Sequence, residues 1–130
     1  MGVNCESFKA LAFQCTLYYI VAVNFFDNWT VQVRKGLLEM CILNALADGE
    51  RYGYELVKAL TRIQGLGTTE GTLYPLLSRL RVQGLVTTRL VESAEGPARK
   101  YYALTPAGRE ARDRMNEHFN LIGRQNPLIP

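Results

Sequence analysis

An α+β fold, mainly helical, is what these 130 residues predict. Three observations predict it. Leu73, Leu76, Leu77 and Leu80 recur at helical spacing, and Gly84 follows them as a stop. Two β-prone runs come next, Leu85–Glu92 and Arg99–Thr105, around the turn-rich segment Ser93–Ala98. A last amphipathic stretch then opens on Thr105-Pro106, a cap followed by a proline at the first helical position. With two more helical stretches upstream, this is the layout of a winged helix-turn-helix with a C-terminal dimerisation helix.

The whole chain sets the bounds. Its length suits one compact domain, and 48% apolar residues suffice for a core. The formal net charge of +3 permits nucleic acid as a partner without requiring it. Cys5, Cys15 and Cys41 lack the spacing of metal ligands, and the single histidine, His118, is far from all three in sequence. Scattered thiols fit a reducing, cytoplasmic setting. No metal and no cofactor is expected. Gly-rich phosphate loops, nucleophile–histidine pairs and paired acids are all missing, so an enzyme is not expected either.

The first 32 residues form an extension of unknown role. Ala10–Phe26 is apolar and aromatic, broken by Gln14, Thr16 and Asn24. It is short for a membrane span and poorly led for a signal peptide, so no membrane partner is expected. Met1-Gly2 hints at myristoylation, but Glu6 stands where Ser or Thr is needed. Three readings stay open: an added helix or strand packed on the domain or its dimer partner, an upstream start codon ahead of a true start near Val31 or Val33, or a membrane tether.

The domain proper runs from 33 to 105. Val33–Ala47 is apolar nearly all round, as a buried helix would be, and Gly49 ends it. Glu50–Gly53 turns the chain. Tyr54, Leu56, Val57, Leu60 and Ile63 place a second helix over about Tyr52–Ile63, and Gln64–Gly67 connects onward. The third helix starts near Thr68 or Thr69, either able to cap it, with Glu70 favourable in the first turn. Its leucines share one face. Gly71, Pro75 and Ser78 lie opposite, with Tyr74 and Arg79 on the flanks. Pro75 is softened by its nearness to the helix start and by Gly71 four residues back, which leaves a small kink. The trailing helix, 106–124, turns Ala107, Ala111, Met115, His118, Phe119 and Ile122 to one side and ends at Gly123. It is about 25 Å long and has little of its own domain to cover it, so a second subunit is its natural partner. Residues 125–130 are a tail.

A helix N-terminus built from short side chains can approach phosphates and a groove floor closely. That singles out Thr69, Glu70, Gly71, Thr72, Tyr74 and Ser78, with Arg79 on the exposed flank and Arg99 and Lys100 on the hairpin. Arg99 and Lys100 have a competing reading as cross-strand partners of Glu92 or Glu95. Arg51 and Lys58 read as solvated charges. Tyr52 and Tyr54 read as braces of the first two helices, and Tyr101 and Tyr102 as braces of the hairpin. Met115, His118, Phe119 and Ile122 line either a plain dimer interface or one that doubles as an effector pocket.

Three strings, RKGLLEMCILNALADGERYGYEL, GTLYPLLSRLRVQGLV and ARKYYALTPAG, resemble PadR-type transcriptional regulators in order and spacing. The resemblance covers about Val33–Phe119. It implies a winged-helix domain that binds double-stranded DNA, a homodimer formed through the C-terminal helix, and repression released by small aromatic or lipophilic molecules. It also implies that the recognition helix starts at Thr69 and that Arg99 and Lys100 are basic wing residues. Nothing in it extends to the first 30 residues. Two alternatives are a winged helix used for protein contact and a MarR-like regulator. An ArsR-like metal sensor would need Cys/His spacing that is missing.

Overall fold

A computed structural model of the chain describes residues 5–125, with side chains from 11 to 124. Residues 1–4, with the Met1-Gly2 motif, and the tail from 126 lie outside the described residues. The chain divides into two units, residues 1–35 and 36–130. Seven elements follow in order: α1 (Cys5–Ala45), β1 (Arg51–Tyr52), α2 (Gly53–Thr61), α3 (Glu70–Val82), β2 (Val86–Ser93), β3 (Gly96–Leu104) and α4 (Pro106–Gln125).

The apolar run near the N-terminus is helical. The expected start of the first helix at Val33 is not a boundary, because α1 runs on from Cys5 through that position. Its backbone needs no tertiary help to satisfy its hydrogen bonds, so an apolar run without Gly or Pro continues into the next.

In the second unit the last turns of α1 supply Leu38, Ile42 and Leu43, and the turn after it Leu46, to a core completed by Leu56, Val57 and Leu60 of α2 and Leu73, Leu77 and Leu80 of α3. Val86, Tyr102 and Leu104 close it from the sheet. Periodicity makes this core: each helix turns one stripe inward, and each strand contributes alternate residues.

The sheet is antiparallel, in the order β1-β3-β2. Val86 pairs with Leu104 and Arg89 with Tyr101, and the register slips between Val91 and Ser93 at the hairpin tip. The segment expected to be only a turn, Glu50–Gly53, contains β1, where Arg51 and Tyr52 pair with Tyr102 and Tyr101. Two residues are too few to show a strand period, and only the partner makes them a strand.

Termini follow local chemistry. Gly84, at φ +81°, ends α3 with the paired bonds of a Schellman motif: Leu85 N donates to Leu80 O and Gly84 N to Arg81 O, both at 3.0 Å. Thr105 caps α4, its hydroxyl accepting from Gly108 N at 3.0 Å and donating to Gly84 O at 2.6 Å. Gly123 does not end α4, which continues to Gln125.

Candidate nucleic-acid interface

Helix α3 carries its leucines inward and a sparse face outward. Leu73, Leu77 and Leu80 are buried, and Leu76 is half-buried. Gly71, Thr72, Pro75, Ser78 and Arg79 are exposed, and Tyr74 is 38% exposed. The helix is continuous through Pro75.

Thr69 occupies the N-cap position but does not cap through its side chain. Its carbonyl accepts from Thr72 N and Leu73 N, both at 3.1 Å, while its hydroxyl lies 3.4 Å from that of Thr72. Thr68, the other cap candidate, is buried with an unpartnered hydroxyl. The first-turn amides of α3 therefore have no side-chain acceptor from the preceding threonines.

Gly71 has no folding reason to be small. A Cβ added there would meet only the Thr69 hydroxyl, at 3.9 Å. The two glycines nearby that packing does explain behave differently. A Cβ on Gly53 would stand 2.8 Å from a ring carbon of Tyr102, and one on Gly108 would strike the carbonyl of Leu85.

Arg79 is not a free cation. It forms an ion pair with Glu39, tying α3 to α1, although more than half of its side chain stays in solvent. The partners lie forty residues apart in sequence, which periodicity within α3 could not show.

Arg99 and Lys100 diverge, because successive strand residues point to opposite faces. Arg99 shares its face of the sheet with Tyr101 and rests on the Tyr52 ring, its guanidinium 5.2 Å from the centroid. Tyr52 in turn lies 5.8 Å from the Tyr101 ring, Arg89 sits 5.6 Å over Tyr101, and Glu50 accepts from Arg89. Glu50, Arg89, Tyr101, Tyr52 and Arg99 thus form a ladder across the wing, an ion pair at one end, two rings in the middle and an arginine at the other. The Arg89 hydrogen bond holds the Glu50 carboxyl below its ordinary range. Glu92 and Glu95 pair with neither Arg99 nor Lys100 among the described residues. Sequence reasoning missed the roles of Arg89 and Glu50. Their signal was the same two-residue alternation, readable only once the strand register was known.

Lys100, half-buried, turns to the other face, where its ammonium lies 5.7 Å from the centroid of the Tyr102 ring. There it lines a groove of about 410 Å³ between wing and α3, together with Tyr52, Tyr54, Tyr74, Ser78 and Tyr102. Burial pushes the Tyr74 phenol up, helped by the Glu70 carboxylate. Burial also raises Tyr102, with Tyr74 adding to it and Arg81 opposing. Tyr54 is no brace: it is 44% exposed, with Lys58 over its ring. Tyr102 is the buried tyrosine that anchors the wing.

On α4, Met115 packs against the core, while Phe119 and Ile122 are about half exposed and His118 is exposed. Asn116 and Asn44 exchange side-chain hydrogen bonds of 2.8 Å, joining α4 to the end of α1. A depression on α4 is lined by Glu117, Asn120, Leu121 and Arg124, none of them the residues expected to line an effector pocket. No helix among the described residues is long and apolar enough to cross a membrane.

Known proteins share this fold. Residues 42–114 match the model of the transcriptional regulator PadR-like family. The chain is 38% identical over 80 residues to transcriptional regulator Rv3488 of Mycobacterium tuberculosis, covering 62% of this chain and 73% of that protein. It is similar to the crystal structure of a PadR-like transcriptional regulator from Bacillus cereus, at 37% identity and a TM-score of 0.62, covering 70% of this chain and 88% of the other. A PadR family regulator from Eggerthella lenta aligns with a TM-score of 0.68 at 29% identity, covering 79% of this chain and 89% of the other. The chain therefore belongs to the PadR-like family, as a DNA-binding regulator of transcription rather than an enzyme.

Proposed function

We propose that the protein is a cytoplasmic repressor that binds a pseudo-palindromic operator as a homodimer. One observation carries the reading: the exposed face of α3 is kept small at Gly71 with nothing inside the chain requiring it, and Lys100 looks across a groove toward that face. A helix that must enter a major groove needs such a face, because bulk near its N-terminus would hold the backbone away from phosphates.

In this reading Thr69, Glu70, Gly71, Thr72, Tyr74 and Ser78 meet base edges and phosphates. Lys100 reaches the backbone from the groove side of the wing and Arg99 from its outer face. Arg79 contributes through its free edge while Glu39 holds it. The two-fold mate docks on Phe119 and Ile122 of α4, leaving two α3 helices to enter successive major grooves about 34 Å apart. A small aromatic or lipophilic effector, seated where Met115, His118, Phe119 and Ile122 approach their symmetry mates, changes that spacing. It does so by binding the DNA-free form more tightly.

The test is capture of genomic fragments by the purified protein, followed by gel shifts with the fragment recovered. A two-fold site protected by a dimer supports the reading. Failure to select any sequence over bulk DNA at modest salt sinks it and leaves a winged helix used for protein contact.

A further inference from the structure

The described part of the first unit is one stretch of α1, and every residue from Leu11 to Trp29 is exposed. The exposure is large: 78% at Tyr18, 72% at Phe25 and 52% at Trp29. Leu11, Cys15, Tyr18, Ala22, Phe25 and Trp29 recur at alternating intervals of four and three, with Tyr19 and Phe26 beside them. No polar residue breaks this stripe, while Thr16, Asn24 and Asp27 lie on the opposite side at about 100° per residue. The Phe26 and Trp29 rings stack with centroids 6.1 Å apart, and the Thr16 hydroxyl is returned to the Ala12 carbonyl at 2.9 Å.

An apolar repeat of about 3.5 residues is what a helix carries when it packs along another helix. A lipid-surface helix carries a strongly charged face instead, and Asp27 is the only charged residue from 11 to 30. The exposed area of the stripe and its flanks is on the order of 700 Å² per chain, close to the roughly 800 Å² per partner of a standard interface.

Residue sizes choose the partner. The stripe mirrors itself about Ile20, with Tyr18 matched to Ala22, Cys15 to Phe25 and Leu11 to Trp29. On the flanks, Ala12 and Phe26 are symmetric about Tyr19, and Gln14 and Asn28 about Val21. We infer that residues 11–29 of α1 dock antiparallel on the same residues of a second copy of this chain, centred at Ile20. Tyr18 and Phe25 then lie against Ala22 and Cys15 of the other copy, so large meets small. Parallel pairing would stack Tyr18 on Tyr18 and leave Ala22 facing Ala22. The antiparallel contact is self-complementary and closes at two chains. It is separate from the α4 contact and from DNA binding, and it adds to them.

The experiment uses the full purified chain, without DNA, carrying Cys5→Ser and Cys41→Ala and treated with a short bis-maleimide. Adding Phe25→Cys should produce covalent dimers, because Cys15 and position 25 of the second copy share a layer. Cys15 alone, and Phe25→Cys with Cys15→Ser, should produce none, since like positions are about 15 Å apart along the axis. Ala22→Arg should abolish the linkage while circular dichroism keeps its helical signal. Linkage through Cys15 alone, or no linkage in any variant, overturns the inference. Sedimentation of unlinked protein with neutral phosphatidylcholine vesicles overturns it in favour of lipid. None of these outcomes alters the capture of operator fragments, which is read separately.

Discussion

Gly108 lies so tightly against the backbone carbonyl of Leu85 that no side chain fits between them. A Cβ at 108 would collide with that oxygen and stand 3.0 Å from the carbonyl carbon and 3.2 Å from a methyl of Leu104. The same carbonyl accepts from Thr105 N at 3.1 Å, so it is held in place and cannot move aside. Gly108→Ala should therefore destabilise the fold by about 2–3 kcal/mol, because the clash is with backbone. Urea unfolding measures it. A change below about 0.5 kcal/mol would show that α4 moves freely on the wing. Gly71→Ala, whose Cβ meets only the Thr69 hydroxyl at an ordinary 3.9 Å, serves as the control and should not destabilise, because alanine favours the helix.

The Thr105 hydroxyl serves two elements, capping α4 and holding the turn at Gly84. Thr105→Val keeps the shape and removes both bonds, at a cost of about 1–2 kcal/mol. Thr105→Ser should recover most of the loss. Equal melting temperatures for Val and Ser would refute the cap.

Alkaline pH should weaken the fold. Tyr74 and Tyr102 both have phenols raised above the ordinary value of 10.0, chiefly by burial. Their neutral forms are favoured in the folded chain, so between the unfolded and folded values the unfolded state holds fewer protons. The contribution is complete below about pH 10 and is lost as pH rises through the folded values. The urea midpoint should fall above that pH, and Tyr102→Phe should make the fall shallower. A midpoint that rises instead contradicts the burial of Tyr102.

Salt dependence tests the wing. A variant that gives up one phosphate partner should show a slope of log affinity against log salt shallower by about 0.9. Lys100→Ala and Arg99→Ala should each show one such step, with site preference kept. Glu70→Gln and Tyr74→Phe should shift sequence preference with the slope unchanged. If neither wing variant moves the slope, the wing does not touch the backbone.

Much of the fold is legible in the sequence alone. The leucines of α3 announce its inner face through a 3.6-residue period, Gly84 announces its end, and Thr105-Pro106 announces α4. These are local signals, written within one or two turns of chain. What stays hidden is non-local. Arg51–Tyr52 is a strand only because Tyr101–Tyr102 lies beside it, and Arg79 has a partner only because α1 brings Glu39 within reach. The divergence of Arg99 and Lys100 belongs between these cases. Strand alternation dictates it, but it acquires meaning only when one face is known to look toward α3. The stretch Ala10–Phe26 is ambiguous in sequence because its three polar residues, Gln14, Thr16 and Asn24, mark neither where a helix starts nor where it stops.

The ladder from Glu50 to Arg99 bears on how the wing meets whatever it grips. An arginine waving in water loses about 0.5–1.5 kcal/mol of rotamer freedom when a partner immobilises it. Arg99 already leans on an aromatic plate, itself steadied by Tyr101 and Arg89, so part of that disorder was surrendered during folding. Tyr52 is uncharged and can donate nothing to a phosphate group except through its hydroxyl. It nevertheless influences docking by deciding in advance where a neighbouring positive charge will be found.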